Sequence, residues 1–363
     1  MSEEPEEGEQ MKAIAKTKPG VGLDLIQAPD PTPAPDEVVL KVLRCGIDGP
    51  ADAGMYAWGP EAEMMMGPLL PIIIGHEILG EIVSVGSDVR GWRPGNRVVL
   101  EPTISCSRCH YCLDGRQNLC TSVAGLIGIT KNGGMAEYVA VPQQVLIEVP
   151  ETLSNEEAVI LEPMGVAVHA MEQAPVDIGD PVAIIGAGFV GLMLLQFLKM
   201  CGANPVIVIG TQRSQKRLQI AKELGADLTL IAGKDDVTSQ VAEASGGLGV
   251  KVVFEAAGKA DALLQGLQLL RSGGRICLIG STRSTVEIAP LNMLLREVSI
   301  VTSRGRRLPN WLHAIQLATS QRITLKPFHS REVPLEAAVE TIRKITEDRS
   351  IVHATVNPWA KHS

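Results

Sequence analysis

Two textures divide this chain and predict an α/β protein: a β-rich domain, then a doubly wound parallel sheet. From Met11 to Val149, short apolar runs such as DEVVLKVLRCGI, LPIIIGHEILGEIVSVGSDV and QVLIEVP are broken by Gly and Pro, the pattern of strands joined by turns. After SNEEAVILEPMGVAVHAMEQ, which has a Ser154 cap, Glu residues in its first turn and an apolar stripe, strands and helices alternate. The third observation is IIGAGFVG, where Gly186, Gly188 and Gly191 close a predicted strand and open a predicted helix.

The alternation runs PVAIIG, FVGLMLLQFLKMCG, PVIVIG, RSQKRLQIAKELGA, LTLI, VTSQVAEASGG, KVVFEAA, ADALLQGLQLLRSGG, RICLIG and VSIVTS. Its six Val/Ile/Leu-rich strands predict a parallel sheet covered on both faces. Beyond Pro309, NWLHAIQLATSQRI reads as a helix, and the closing REVPLEAAVETIRKIT and IVHATV as a helix and a strand that return to the first domain. The expected boundaries are a disordered acidic tail over 1–10, a first domain over 11–165, the doubly wound domain over 166–308 and the return over 309–363.

In the glycine run, Gly186 permits a tight turn, Gly188 lets backbone approach a pyrophosphate, and Gly191 lets helix pack on strand. Backbone N–H groups at the helix start, at Phe189 and Val190, then face phosphate oxygens. About twenty residues on, an NAD-preferring site usually carries an acidic residue for the adenosine ribose. This chain has Gly210, Thr211, Gln212 and Arg213 there. With no carboxylate to repel a 2'-phosphate and Arg213 able to clamp one, NADP is favoured over NAD. The alternative is that Arg213, Lys216 and Arg217 form only the solvated face of the next helix.

Cys106, Cys109, Cys112 and Cys120, in CSRCHYCLDGRQNLC, have the spacing of a tetrahedral zinc site. An all-thiolate site is coordinatively closed, so a zinc there staples a lobe, over about 101–121, and does no chemistry. Cys45, Cys201 and Cys277 are scattered in apolar surroundings and do not form a secreted disulfide framework. The net charge of -8 and 3% aromatic content exclude a nucleic-acid partner. No apolar stretch reaches membrane-spanning length and MSEEPEEGEQ lacks an h-region, so a cytoplasmic protein is expected.

His76 and Glu77 follow the apolar run LPIIIG at a strand end, a pair that invites a metal reading. With the cysteine lobe, the glycine fingerprint and Glu162-Pro163, they complete a pattern that resembles the zinc-containing medium-chain dehydrogenase/reductase family from about Met11 to the end. GHE followed by LGEIVSVGSDV, and LEPMGVAVHA, are most similar to the sorbitol, threonine and glucose dehydrogenase branch. The resemblance implies a GroES-like domain carrying the zinc lobe, a Rossmann domain, and two zinc ions per chain. It implies His76, Glu77 and Glu162 at the catalytic zinc. Where the family has a cysteine this chain has Asp48, in CGIDGPAD, and Asp48 is preferred to the nearby Cys45 as the remaining ligand. Pro50 and Ala51 replace the residues that usually supply a relay hydroxyl, leaving Asp52 as one stand-in.

The activity implied is reversible oxidation of a secondary alcohol to a ketone, or of a hemiacetal to a lactone, by hydride transfer to the nicotinamide. An oxygen-rich site favours a polyol, sugar, cyclitol or amino alcohol as the small-molecule partner. The alternatives are a non-catalytic nucleotide-binding family member whose active-site zinc is lost, and a zinc-free quinone or enone reductase. The strand VSIVTS resembles a sheet edge that pairs across a dimer, so a homodimer or homotetramer is expected.

Overall fold

A computed structural model of the protein describes residues 9–345, 347–348 and 350–361. It contains two compact units, one from the chain up to Glu162 and from Phe328 onward, the other Pro163–Pro327. Most of the acidic tail expected over 1–10 lies outside the described residues, and Gln10 already begins a strand.

The first unit is organised on one long strand, β1 (Glu37–Ile47), in a seven-stranded sheet. One edge of β1 pairs antiparallel with β2 (Glu77–Val85). Its other edge pairs first with Tyr138–Pro142 and then, near its end, with the closing strand Ala354–Val356. Arg97–Leu100 and Leu146–Glu148 extend the sheet beyond β2. Leu40, Val42, Ile78, Ile82, Val98 and Leu100 are buried in one continuous core. Helix α1 (Gly49–Ala57) follows β1 directly, with Pro50 in its first turn, where a missing N–H removes no intrahelical bond.

The second unit holds six parallel strands, introduced in chain order as β3 (Val182–Ile185), β4 (Val206–Gly210), β5 (Leu228–Ile231), β6 (Val250–Glu255), β7 (Leu270–Leu278) and β8 (Ser299–Thr302). Across the sheet they run β5-β4-β3-β6-β7-β8. The chain therefore leaves β3 in one direction and returns to its other side, creating a topological switch point at the end of β3. β3 and β4 are buried along their whole length, as strands covered on both faces must be. Helix α2 (Phe189–Cys201) starts after Gly188 and stops at Gly202, whose positive φ of 82° closes it. Helix α3 (Gln215–Glu223) follows β4.

The chain comes back to the first unit at Phe328, later than the expected 309. Helix α4 (Leu308–Thr319) stays with the second unit, where Trp311 is fully buried and the Arg306 guanidinium stacks over its ring at 5.1 Å. The first unit's closing pieces match the expectation of a helix and a strand, Ala338–Ile345 and Ala354–Val356. Ser154 caps Asn155–Val159 in a full capping box with Glu157. No helix among the described residues is long and apolar enough to cross a membrane.

Gly191 has no room for a side chain, because a Cβ there would overlap the carbonyl oxygen of Gly186 and crowd Ile184. Gly191→Ala is expected to destabilise the second unit by about 1–3 kcal/mol and to weaken nicotinamide dinucleotide binding. Urea unfolding and a fluorescence titration with NADPH check the two effects.

Candidate active site and dinucleotide cradle

The end of β1 and the start of β2 deliver the first group of polar side chains. Asp48 occupies the N-cap of α1, yet its carboxylate makes no capping bond. It turns instead to His76, with Oδ2 3.5 Å from Nε2. Among the described residues, ligand atoms of Asp48, His76 and Glu77 lie within 4.8 Å of one another, and His76 and Glu77 are buried. Glu162 is buried too and its charge acts on His76, but it is not part of that close group. The Sγ of Cys45 lies close to where a Cβ of Gly75 would stand, and burial, with the charges of Asp52 and Glu77, holds its thiol pKa well above the ordinary value. Of the two rivals for the first ligand, only Asp48 is placed with His76 and Glu77.

Asp52, one helical turn after Asp48, lies inside α1 and is buried. It is 1% exposed and accepts the Asp48 backbone N–H at 2.9 Å. Burial raises its pKa from 3.8 to about 8, helped by the charges of Asp48 and Glu77 and opposed by His76 and by the Asp48 N–H. Burial also works against a charged imidazole at His76. The hydrogen bond to Asp48 and the charges of Glu162, Asp48 and Asp52 outweigh it and raise that ring from 6.5 to about 10. A buried histidine drawn toward its charged form by carboxylates marks a site short of positive charge, and His76 Nδ1 has no hydrogen-bond partner. The donor set, one imidazole with carboxylate oxygens, suits a divalent cation such as zinc.

The cysteine lobe also gathers as its spacing predicts. The Sγ atoms of Cys106, Cys109, Cys112 and Cys120 all lie within 4.8 Å of one another. Sγ separations of 3.5 Å for Cys109–Cys112 and 3.9 Å for Cys109–Cys120 exceed a disulfide bond and leave room for a shared ion. Backbone N–H groups of Cys112 and Thr121 lower the Cys109 pKa to about 5, while burial raises Cys112 to about 11. Cysteines at this spacing fit a tetrahedral zinc.

In the second unit the glycine run sits at the switch point. Gly186 adopts a φ of 114°, and a Cβ there would press on the Ala256–Ala257 peptide. The N-terminus of α2, at Phe189 and Val190, opens from Gly188. Gly210 ends β4, Thr211 and Arg213 are exposed in the turn that follows, and no acidic side chain stands there. Of the three basic residues considered above, Arg217 is the exception to a solvated face. It is buried, with a guanidinium nitrogen 3.9 Å from where a Cβ on Gly188 would be.

Residues 34–151 match the alcohol dehydrogenase GroES-like domain, and residues 190–320 match the family described as zinc-binding dehydrogenase. L-threonine 3-dehydrogenase of Pyrococcus horikoshii is 36% identical, over 88% of this chain and 90% of its own length. The chain belongs to the zinc-containing medium-chain dehydrogenase/reductase family. Sorbitol dehydrogenase of Halalkalibacterium halodurans is 33% identical over 89% of this chain and 92% of its own. A zinc-binding dehydrogenase of Sinorhizobium meliloti, solved bound to NADP, superposes with a TM-score of 0.83 at 31% identity, covering 96% of this chain and all of that one. This medium-chain dehydrogenase is a zinc-type oxidoreductase of the alcohol and polyol dehydrogenases, moving a hydride between a nicotinamide and an alcohol carbon.

Two residues of the dehydrogenase that bear on these sites escaped sequence reasoning. Arg217 looked like one more surface cation on a basic helix, and only its inward turn distinguishes it. His353 lies 276 residues from Glu77, yet its Nε2 is 2.6 Å from Glu77 Oε2. A histidine opening an apolar final strand was the available signal.

The folded pKa values of Asp52 and His76 both lie above their unfolded ones. The stability they contribute is complete below the unfolded values and is lost as the pH rises through about 8 and about 10. Metal-free protein is therefore expected to lose stability from about pH 4 to about pH 10, most steeply between about pH 6.5 and pH 8, where both groups contribute. A divalent cation displaces the His76 proton, so the rise in Tm on adding zinc should grow over the same range. Melting curves of metal-free and zinc-loaded protein measure both trends, and a zinc increment that ignores pH would contradict this charge arrangement.

Proposed function

We propose that this dehydrogenase oxidises a secondary alcohol or hemiacetal carbon of a polyol, sugar, cyclitol or amino alcohol, with NADP preferred to NAD. Asp48, His76, Glu77 and Glu162 hold a catalytic zinc, and Cys106, Cys109, Cys112 and Cys120 a structural one. The observation that carries this reading is the buried, carboxylate-rich group formed by Asp48, His76 and Glu77. When bound, the zinc supplies a Lewis acid for the substrate oxygen and the nicotinamide supplies the hydride acceptor.

The chain's own residues do the rest. Asp48 Oδ2, 3.5 Å from His76 Nε2, is one of the atoms that would hold the ion. The surrounding carboxylates can accept hydrogen bonds from additional hydroxyl or ammonium groups, which disfavours plain alkyl alcohols. Relatives named for threonine, sorbitol and arabitol phosphate support that range. At the dinucleotide, Gly186, Gly188 and Gly191 admit the pyrophosphate to the start of α2 at Phe189 and Val190. Gly210, Thr211 and Arg213 leave room and positive charge for a 2'-phosphate.

Metal content separates this reading from its failure. Wild-type protein is expected to carry two zinc ions per chain and Asp48→Ala one, with turnover of a polyol panel lost in the variant and faster with NADP than with NAD in the parent. A single ion in both proteins, unchanged after zinc is added back, would leave only the cysteine staple.

Assembly and location belong to the same proposal. The short helix Pro290–Arg296 exposes Leu291, Leu294 and Leu295 just before β8, the edge strand of its sheet. An apolar helix beside an open strand edge favours a homodimer or a homotetramer built from it. Leu294→Asp is expected to yield a monomer by light scattering, whereas an unchanged mass would move the interface elsewhere. All seven cysteines are free, in keeping with a cytoplasmic site of action.

A further inference from the structure

Glu77 opens β2, and its carboxylate fills a space that β1 leaves for it. A Cβ on Gly46 would overlap Glu77 Oε2, so the glycine is what admits the carboxylate. Gly46 is the register partner of Glu77 on one edge of β1 and of Thr355 on the other. The closing strand is thereby held at a fixed distance from Glu77, and His353, two residues before Thr355, reaches across Gly46 to place Nε2 2.6 Å from Oε2. Both side chains are 4% exposed. An ionised carboxylate only accepts, so Nε2 donates to Oε2 and the other oxygen of Glu77 stays available to ligate a metal. Among the described residues, His353 is the hydrogen-bond donor to this carboxylate. Without that bond, a flexible side chain beside Asp48 and Asp52 has no hydrogen bond to hold it against their charge.

We propose that His353 is the positioning residue for Glu77 as a metal ligand, so that retention of the catalytic zinc depends on the last strand of the chain. The inference rests on the zinc reading given above. It assigns His353 no contact with substrate or cofactor. Its action is to remove the rotational freedom of Glu77 before the ion arrives, the part that outer-shell partners of metal ligands play.

The test uses the full chain as wild type, His353→Ala, His353→Asn and His353→Gln, with zinc competition titrations, cobalt substitution and thermal melts of the zinc-free proteins. Glutamine places an amide N–H at nearly the reach of Nε2, and asparagine stops one methylene short. His353→Ala and His353→Asn are expected to keep the cysteine-bound zinc but to hold the second ion about 10–100-fold more weakly, the usual cost of losing such a partner. Their cobalt forms should show altered d–d bands. His353→Gln is expected to recover most of the affinity and the parental spectrum. The cysteine-bound ion reports that each variant has folded, and Asn with Gln keeps the comparison intact if Ala does not fold.

Wild-type affinity and an unchanged cobalt spectrum in the Ala and Asn variants would overturn the inference while leaving the zinc site standing. A fall in Tm with zinc affinity preserved would also overturn it, since the pair would then only tie strands together. A wild-type chain that binds a single zinc would remove the zinc reading itself, a result distinct from both.

Discussion

Negative charge collected away from water around His76 is the constraint on which the rest of this structure depends. Asp52, Glu77 and Glu162 are buried, Asp48 is partly so, and carboxylates this close repel one another and resist desolvation. The fold answers locally, with the Asp48 N–H turned to Asp52 and His353 turned to Glu77. Those bonds orient Asp52 and Glu77, and burial, by raising the Asp52 pKa to about 8, lets Asp52 keep its proton at neutral pH. A divalent ion would complete the balance, so the same residues whose charges repel one another are chemically suited to hold a metal.

The convergence is geometric before it is chemical. Positions 48, 77 and 353 are far apart in the chain, and they meet because β1 is paired on both edges near its C-terminal end. Asp48 continues from β1, Glu77 begins the strand on one side, and His353 precedes the strand on the other. The cysteine lobe solves a different problem. Its excursion leaves and returns through the two-residue strands Thr103–Ile104 and Gly125–Leu126, too little sheet to fix a lobe of this size. Four sulfurs gathered within 4.8 Å of one another are placed so that one shared ion, as proposed above, would supply the cohesion that a core of so few residues lacks.

Features encoded within a short window were legible in the sequence. The cysteine spacing, the strand-glycine-helix run at Gly186–Gly191 and the Ser154 cap each depend on neighbours a few residues away, and each forms as its pattern implies. Features that depend on long-range pairing were not. That Asp48 gathers with His76 and Glu77 is visible in space, whereas in the sequence Asp48 and Cys45 are simply neighbours in CGIDGPAD. Asp52 was legible only as a stand-in for a missing hydroxyl, because nothing local announces that α1 buries it. The role of His353 needed the register of a strand that arrives from the far end of the chain. The late return at Phe328 has a similar cause: a buried tryptophan, Trp311, keeps α4 with the sheet it follows.

The end of β4 carries a consequence for how cofactor choice can change in this lineage. A Cβ at Gly210 would stand 3.1 Å from the side chain of Leu218, closer than such carbons ordinarily approach. An acidic residue for the adenosine ribose placed there would press on Leu218, which must give by a few tenths of an ångström to admit it. The side chain at 218 is thereby coupled to the residue at 210: how far the packing between α3 and the sheet lets Leu218 shift sets the cost of a carboxylate at the end of β4.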